Sequence, residues 1–412
     1  MEKLRPALCG LCLALLLPLA IFAGRHLPTD TRPLVEEKYA GWSGVLRLWV
    51  FEGWAEGMDG LPAWLNRCIA RFEKRSPGVY VQPRFVDAGA ITAMNDSGIP
   101  RPDMLLIPPG LLSSPQGLAP LSPPDNLRGP LAGCGAWGNA VYAVPVAMGG
   151  YLWAWNAALT EGIPDTWHTG GATLAAPGPQ PWRRWDAALL ALCSGRYSDK
   201  VPDDPRETPA PPLPGVDLGL AGSETPAPTP PPAAPEGELS CRLPDGFGFE
   251  DDAWRRFANG EVAAMPVTQR EVRRLQALSG QGKGPDWRLC AGAGAFTDQL
   301  LCLAVVDAPG AEEQRALCAA FLACLLEDAC QGDLCRAACF SVTDAGSGYD
   351  AGDPLLVLDA ALRDPGLCAP NCFDAHWQDD CASIVREFTD NAAEAWRLWR
   401  SLAGRLRKNP NI

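Results

Sequence analysis

The chain has 412 residues, 47% hydrophobic and 20% charged, enough apolar sequence to bury a real core, which excludes bulk disorder. Its net charge of −13 opposes nucleic-acid backbones and anionic membranes, so no nucleic-acid partner is expected. Gly (42) and Pro (41) together make about a fifth of the chain, high for a compact enzyme, and three histidines leave little material for a His-dependent triad or metal site.

Lys3 and Arg5 precede an apolar run from Ala7 to Ala23, a positive n-region followed by an h-region. A run of about 17 residues stands at the lower limit for a spanning helix. A cut after Ala23 puts Ile21 at the −3 position, where a small residue is wanted. Residues 1–24 therefore read as a signal peptide or an uncleaved membrane anchor, and residues 25–412 are expected outside the cytoplasm either way. Cys9 and Cys12 lie within this run and read as small apolar-compatible residues. Of the other fourteen cysteines, Cys302, Cys318, Cys324, Cys330, Cys335 and Cys339 cluster, with Cys368, Cys372 and Cys381 further on. In an oxidising compartment they suggest disulfides, with buried free thiols as the alternative. No C-x2-C pair there supports zinc, and no cofactor is implied.

Residues 25–43 form a polar connector. Val45 to Val50 is a β-type run. Trp64, Leu65, Cys68, Ile69 and Phe72 recur at helical spacing, which predicts a helix from Pro62 to Ser76 stopped by Pro77-Gly78. Val79 to Phe85 and Met104 to Ile107 are the next strands, so the segment predicts a parallel α/β sheet. Tyr142 to Trp155 holds two apolar runs split by Met148-Gly149-Gly150, where glycines allow a bend between domains. Residues 183–194 have helical spacing. Twelve of the 41 prolines fall between Val201 and Ser240, a composition for an extended, solvated insert. Beyond it the pattern predicts helices at Asp251–Phe257, Glu271–Leu278 and Glu312–Leu326, strands at Ala263–Val267 and Leu300–Val306, and an amphipathic helix from Ala382 to Leu406.

The order of these motifs resembles the extracellular solute-binding proteins of ABC importers, of the maltose-binding-protein type (family 1). The residues that carry it are Leu46 to Val50, Phe72-Glu73-Lys74 with Pro77-Gly78-Val79, Pro102-Asp103, Ala143-Val144-Pro145 with Trp155-Asn156, Phe257 with Gly260 and Ala263-Ala264-Met265, Phe321 to Leu325, and Phe340-Ser341-Val342. The resemblance covers most of residues 44–345. Departures are Trp155, where the family has Tyr, the Pro-rich tract, the cysteine load and the missing lipobox.

The resemblance implies an α/β fold of two lobes, the periplasmic-binding-protein type II architecture, hinged around a ligand cleft. It divides the chain into lobe 1 at 44–146 and 262–299, lobe 2 at 147–200, 241–261 and 300–412, and the insert at 201–240. It implies a non-enzymatic, extracytoplasmic component that binds a small-molecule solute, most simply a carbohydrate, and hands it to ABC permease subunits. A surface-anchored interaction protein that keeps the fold without the solute is the alternative.

Fifteen Trp supply aromatic faces for sugar rings. Glu52 and Trp54 follow the first strand, at the strand end where parallel sheets meet ligands. Tyr151, Trp153 and Trp155 lie beside the presumed hinge. Gln269 follows the return strand, and Asp298 precedes a later one, as a ligand contact or a turn cap. Asp87 is open between site and turn, Asp103 reads as a cap or turn residue, and Trp377 is either a surface aromatic or a site residue. Catalytic signals are thin: there is no G-x-S-x-G, Gly282-Lys283-Gly284 is no phosphate loop, and the acidic pair Asp379-Asp380 is adjacent rather than opposed. Asn95-Asp96-Ser97 is a formal glycosylation sequon.

Overall fold

The computed structural model describes residues 42–53, 60–94, 101–122, 124–159, 175–177, 248–250, 252–291, 296–365 and 367–390, with short helical pieces after 390. The signal or anchor segment, nearly all of the connector, Trp54, the sequon, residues 183–194 and the Pro-rich tract lie outside the described residues. Among the described residues no helix is long and apolar enough to cross a membrane.

In chain order the strands are β1 (Gly44–Phe51), β2 (Val79–Val86), β3 (Met104–Ile107), β4 (Ala136–Trp137), β5 (Ala140–Val141), β6 (Ala143–Met148), β7 (Tyr151–Asn156), β8 (Ala175–Pro177), β9 (Gly248–Glu250), β10 (Ala264–Thr268), β11 (Trp287–Ala291) and β12 (Leu300–Val305). The helices are α1 (Gly60–Arg75), α2 (Ala88–Thr92), α3 (Ala253–Ala258), α4 (Gln269–Gly280), α5 (Glu312–Leu325), α6 (Asp328–Gly332), α7 (Leu356–Leu362) and α8 (Trp377–Asp390).

Two sheets organise the molecule. The larger runs β2-β1-β3-β12-β6, and the smaller β10-β7-β11. Within the larger sheet parallel pairing is confined to β2-β1-β3, and β12 runs antiparallel between β3 and β6; the short strands β8 and β9 form a separate parallel pair. Strands β3, β6 and β12 are buried along their whole length, as continuous apolar runs require. Proline placement follows hydrogen-bonding need. Pro83, Pro145 and Pro266 sit on β2, β6 and β10, all edge strands, where a missing N–H leaves no central ladder bond open.

Helix α1 buries Leu61, Trp64, Leu65, Cys68, Ile69 and Phe72, the stripe that its spacing predicts. Phe72 meets Phe321 of α5 edge-on, with ring centroids 5.2 Å apart. Gly78, at φ +87°, turns the chain into β2, a conformation that costs a residue with a Cβ. Asp87 caps α2 by accepting the Ala90 amide at 2.8 Å, so it serves the turn. Asp103 ties β3 to its neighbours, accepting from the Arg47 amide at 2.6 Å and the Gln314 side chain at 2.7 Å.

Strand membership differs from the division expected for the C-terminal half. Strands β10 and β11 pair with β7, and β12 pairs with β3 and β6, so the segment 264–291 joins the sheet that was given to lobe 2 and residues 300–305 join that of lobe 1. The reason is pairing: an apolar run satisfies its ladder against whichever strand lies beside it, and neither run carries a local mark of its partner. Helix α8 begins at Trp377, five residues before the expected start. Trp377 is buried, with its indole N–H on the Pro109 carbonyl at 3.4 Å and its ring over Gly110. Among the described residues Cys68, Cys134, Cys302, Cys318, Cys324, Cys330, Cys335 and Cys372 are thiols rather than the expected disulfides.

Candidate functional site

The chain crosses between the two sheets at 148–151, again before β12, and a third time near 340. All three crossings meet at the same end of the larger sheet. Met148, the last residue of β6, exchanges backbone hydrogen bonds with Phe340 at 2.8 and 3.1 Å. Gly149 donates its amide to the Gln299 carbonyl at 2.7 Å and accepts the Thr297 hydroxyl at 2.8 Å. These bonds zip the first two crossings together.

Polar side chains gather at this junction. The Tyr151 hydroxyl donates to Asp298 at 2.7 Å and accepts from the Gln299 amide at 2.7 Å. Tyr151, Trp153 and Trp155 alternate along β7 and so share one face. Tyr151 and Trp153 are buried and Trp155 is partly exposed. Across the ladder that face continues to Arg288 and Cys290 of β11, both exposed, so it runs outward to solvent at one edge.

Gln269 opens α4, where Thr268 and Glu271 form a capping box. Its side chain is fully buried. The amide oxygen accepts from the Gly150 N–H at 3.2 Å, while the amide nitrogen has no hydrogen-bond partner. A Cβ on Gly149 would lie 2.1 Å from that nitrogen, so a larger residue there would push the Gln269 amide out of place. Gln331 is the contrast. It too is buried, yet its nitrogen donates to the Val146 and Leu325 carbonyls and its oxygen accepts from Ser341 and Val342. Gln331 is satisfied at both ends, whereas the Gln269 nitrogen is left without a partner.

Residues 367–373 are all buried and lie across the junction as a strap. Thr297 donates its amide to the Cys368 carbonyl at 3.0 Å, Gly110 donates to the Cys372 carbonyl at 2.9 Å, and the Cys372 amide bonds to Cys134 at 2.6 Å. Gly110 follows the C-terminal end of β3, so the strap crosses the strand ends where parallel sheets meet ligands. The Asn371 amide anchors it on the Gly133 and Ala136 carbonyls at 3.3 and 2.8 Å. Beneath it the Cys302 thiol is hydrogen-bonded with Cys372, and that bond with burial pushes it well above its ordinary range.

Of the residues singled out from sequence, Tyr151, Gln269 and Asp298 are brought to one junction, and Trp153 and Trp155 follow Tyr151 along the same face of β7. Glu52 is exposed past the end of β1, its backbone amide bonded to Val86. Trp54 lies outside the described residues. The sequence reading missed Thr297, Gln299 and the strap. The one available signal was the polar triplet Thr297-Asp298-Gln299 directly before an apolar strand. A cavity of about 660 Å³ opens elsewhere, beside α5 and Val305 at the opposite end of β12. Its walls are mostly apolar, and Arg315 is engaged by Asp307. The junction, with its convergent polar groups, is the better site. Among the described residues no group of three or more His, Cys, Asp or Glu is placed to hold a metal.

Two lobes, each with its own sheet, joined by three crossings around a polar junction, are the fold of the two-lobed solute-binding proteins. No protein-family model matches the chain, and no curated protein does. Solved structures do. The maltodextrin-binding protein MalE1 from L. casei BL23 superposes with a TM-score of 0.56 at 15% identity, over 89% of this chain and 100% of that one. The cyclic α-maltosyl-1,6-maltose binding protein from Arthrobacter globiformis gives 0.55 at 14%, over 89% and 100%. The GacH receptor of Streptomyces glaucescens GLA.O, known unliganded and with acarbose, gives 0.53 at 14%, over 89% and 98%.

Proposed function

We propose that this chain is the extracytoplasmic solute-binding component of an ABC importer, a non-enzymatic receptor that closes on a carbohydrate and delivers it to a membrane permease. The observation that carries this reading is the fully buried Gln269 amide nitrogen with no partner, set beside the Tyr151–Asp298–Gln299 network in a fold shared with sugar-binding proteins. Hydroxyl-rich solutes need such neutral donors and acceptors beside aromatic faces. Tyr151, Trp153, Trp155, Gln269 and Asp298 are the proposed contacts, together with Glu52 and Trp54 on the ground of their sequence position after β1. The N-terminal apolar segment, if uncleaved, holds the receptor at the membrane.

A thermal-shift screen against oligosaccharides, polyols, amino acids and phosphate esters tests this. A solute at a hundred times its Kd adds about 2.7 kcal/mol of stability, so an oligosaccharide should raise the midpoint and Gln269→Ala should reduce the shift. If no solute in the panel stabilises the folded chain, the receptor reading fails.

One observation favours a second reading, the surface-anchored interaction protein. The strap already occupies the strand ends where solute is expected, and its residues are buried. That reading predicts no shift with any solute while the chain remains folded and cooperative in its melt.

A further inference from the structure

Three cysteines meet on the helical layer that covers the larger sheet. On α1, Trp64, Cys68 and Arg71 fall on one stripe, at i, i+4 and i+7. Trp64 donates its indole N–H to the Cys330 carbonyl at 2.8 Å, and Arg71 donates a guanidinium N–H to the Cys330 sulfur at 3.0 Å. Cys68, between these two anchors, is thereby held against Cys330 of α6. The Cys68 and Cys324 thiols both hydrogen-bond to the Cys330 sulfur, and all three cysteines are buried. Asp333 faces the same guanidinium at 3.7 Å, and Arg67 at 3.8 Å.

We propose that Cys330 is the shared sulfur of a dithiol–disulfide site, joined on oxidation to Cys68 of α1 and able to pass that bond to Cys324 of α5. The electrostatics fit this role. Hydrogen bonds from Cys324, Cys68 and Arg71 hold the Cys330 thiol well below its ordinary range, and the bonds to Cys330 together with burial hold Cys68 and Cys324 above theirs. Cys330 is thus the sulfur of the three that gives up its proton most readily, and the thiolate is the nucleophile.

Local opening of the helical layer admits a low-molecular-weight disulfide as oxidant; the Cys330 thiolate attacks one of its sulfurs and expels the other as a thiolate. Cys68 gives its proton to that thiolate and attacks the Cys330 sulfur of the mixed disulfide. The Cys68–Cys330 bond forms, the mixed bond breaks and the second small thiolate leaves. Two protein thiols are oxidised and one small disulfide is reduced to two thiols. Cys324, which hydrogen-bonds to the same sulfur, can then attack it and displace Cys68, its proton passing to the departing Cys68 sulfur, with no net change in oxidation state. Cys68–Cys330 staples α1 to α6 across most of the sequence, whereas Cys324–Cys330 closes only the α5–α6 corner.

The test uses the full chain in graded mixtures of oxidised and reduced glutathione, quenched with acid, alkylated in denaturant and peptide-mapped. Cys330 should leave the alkylated pool and appear linked to Cys68 and Cys324. A non-reducing gel should show a faster band from the long-range bond, absent in Cys68→Ser, which retains Cys324–Cys330. Arg71→Gln should slow the loss of free Cys330 about tenfold, by removing a donor to its thiolate; an unchanged rate overturns Cys330 as the attacking sulfur. The mapping of the unaltered chain needs no variant to fold. Cys330 recovered alkylated in fully oxidising buffer, or linked to any other cysteine, overturns the proposal.

Discussion

Gly149 shows how one position governs the junction. A methyl group there meets the Gln269 amide, which would have to shift and give up its bond to the Gly150 N–H. Gly149→Ala should cost about 1–3 kcal/mol in urea denaturation. Combined with Gln269→Ala, which clears the space, the cost should be strongly non-additive; additive effects would show that the two residues do not touch. Asp103 offers a pH test. Burial raises its carboxyl above the ordinary value of 3.8, against the pull of the Arg47 amide. The native chain therefore holds this proton to higher pH than the unfolded chain, and the stability that depends on it is lost as pH rises through the raised value. Asp103→Asn should remove that slope from the difference between the two unfolding curves, measured between pH 3 and roughly 6.

At the scale of elements, periodicity located nearly everything with a strong local signal. The expected strand at Met104–Ile107 is β3, and the expected helix at Pro62–Ser76 is α1 to within two residues. Elements with a weak signal escaped: β11 alternates partly exposed Trp287 and Leu289 with exposed Arg288 and Cys290, and α7 has only seven residues. The strap has no periodicity at all, because its backbone bonds run to Gly110, Cys134 and Thr297 rather than along a ladder of its own. Asn371→Ala should cost about 1–3 kcal/mol by leaving the Gly133 and Ala136 carbonyls short of a donor. If the strap opens as one unit, hydrogen exchange at the Gly110 and Thr297 amides should accelerate together in this variant; acceleration at one alone would divide it.

For the whole molecule the question is how the two lobes are held. Arg128 contributes a latch. Its buried guanidinium donates to the Thr343 carbonyl at 3.0 Å, beside the third crossing, and to the Leu362 carbonyl at the end of α7 at 3.3 Å. Desolvation lowers it to about 10, so it stays charged at neutral pH. Helix α7 itself packs its Leu358 and Leu362 on Gly150, at the first crossing. Arg128→Ala should raise the radius of gyration of the solute-free chain in small-angle scattering, and a stabilising solute should lower it again by closing the lobes. A radius unchanged by both would mean that the lobes do not hinge.

By itself the sequence determined the α/β class and the positions of the main strands and helices, because hydrophobic period and helix-stop residues act locally. The motif order also marked the aromatic face of β7 and the pair Gln269 and Asp298. Only the tertiary structure decided which sheet β10, β11 and β12 join, that Gln269 is left with a free donor, that a strap crosses the strand ends, and that Cys68 meets Cys324 and Cys330. Each of these depends on which distant segment lies alongside. A side-chain period states that a residue is buried, but not what it is buried against.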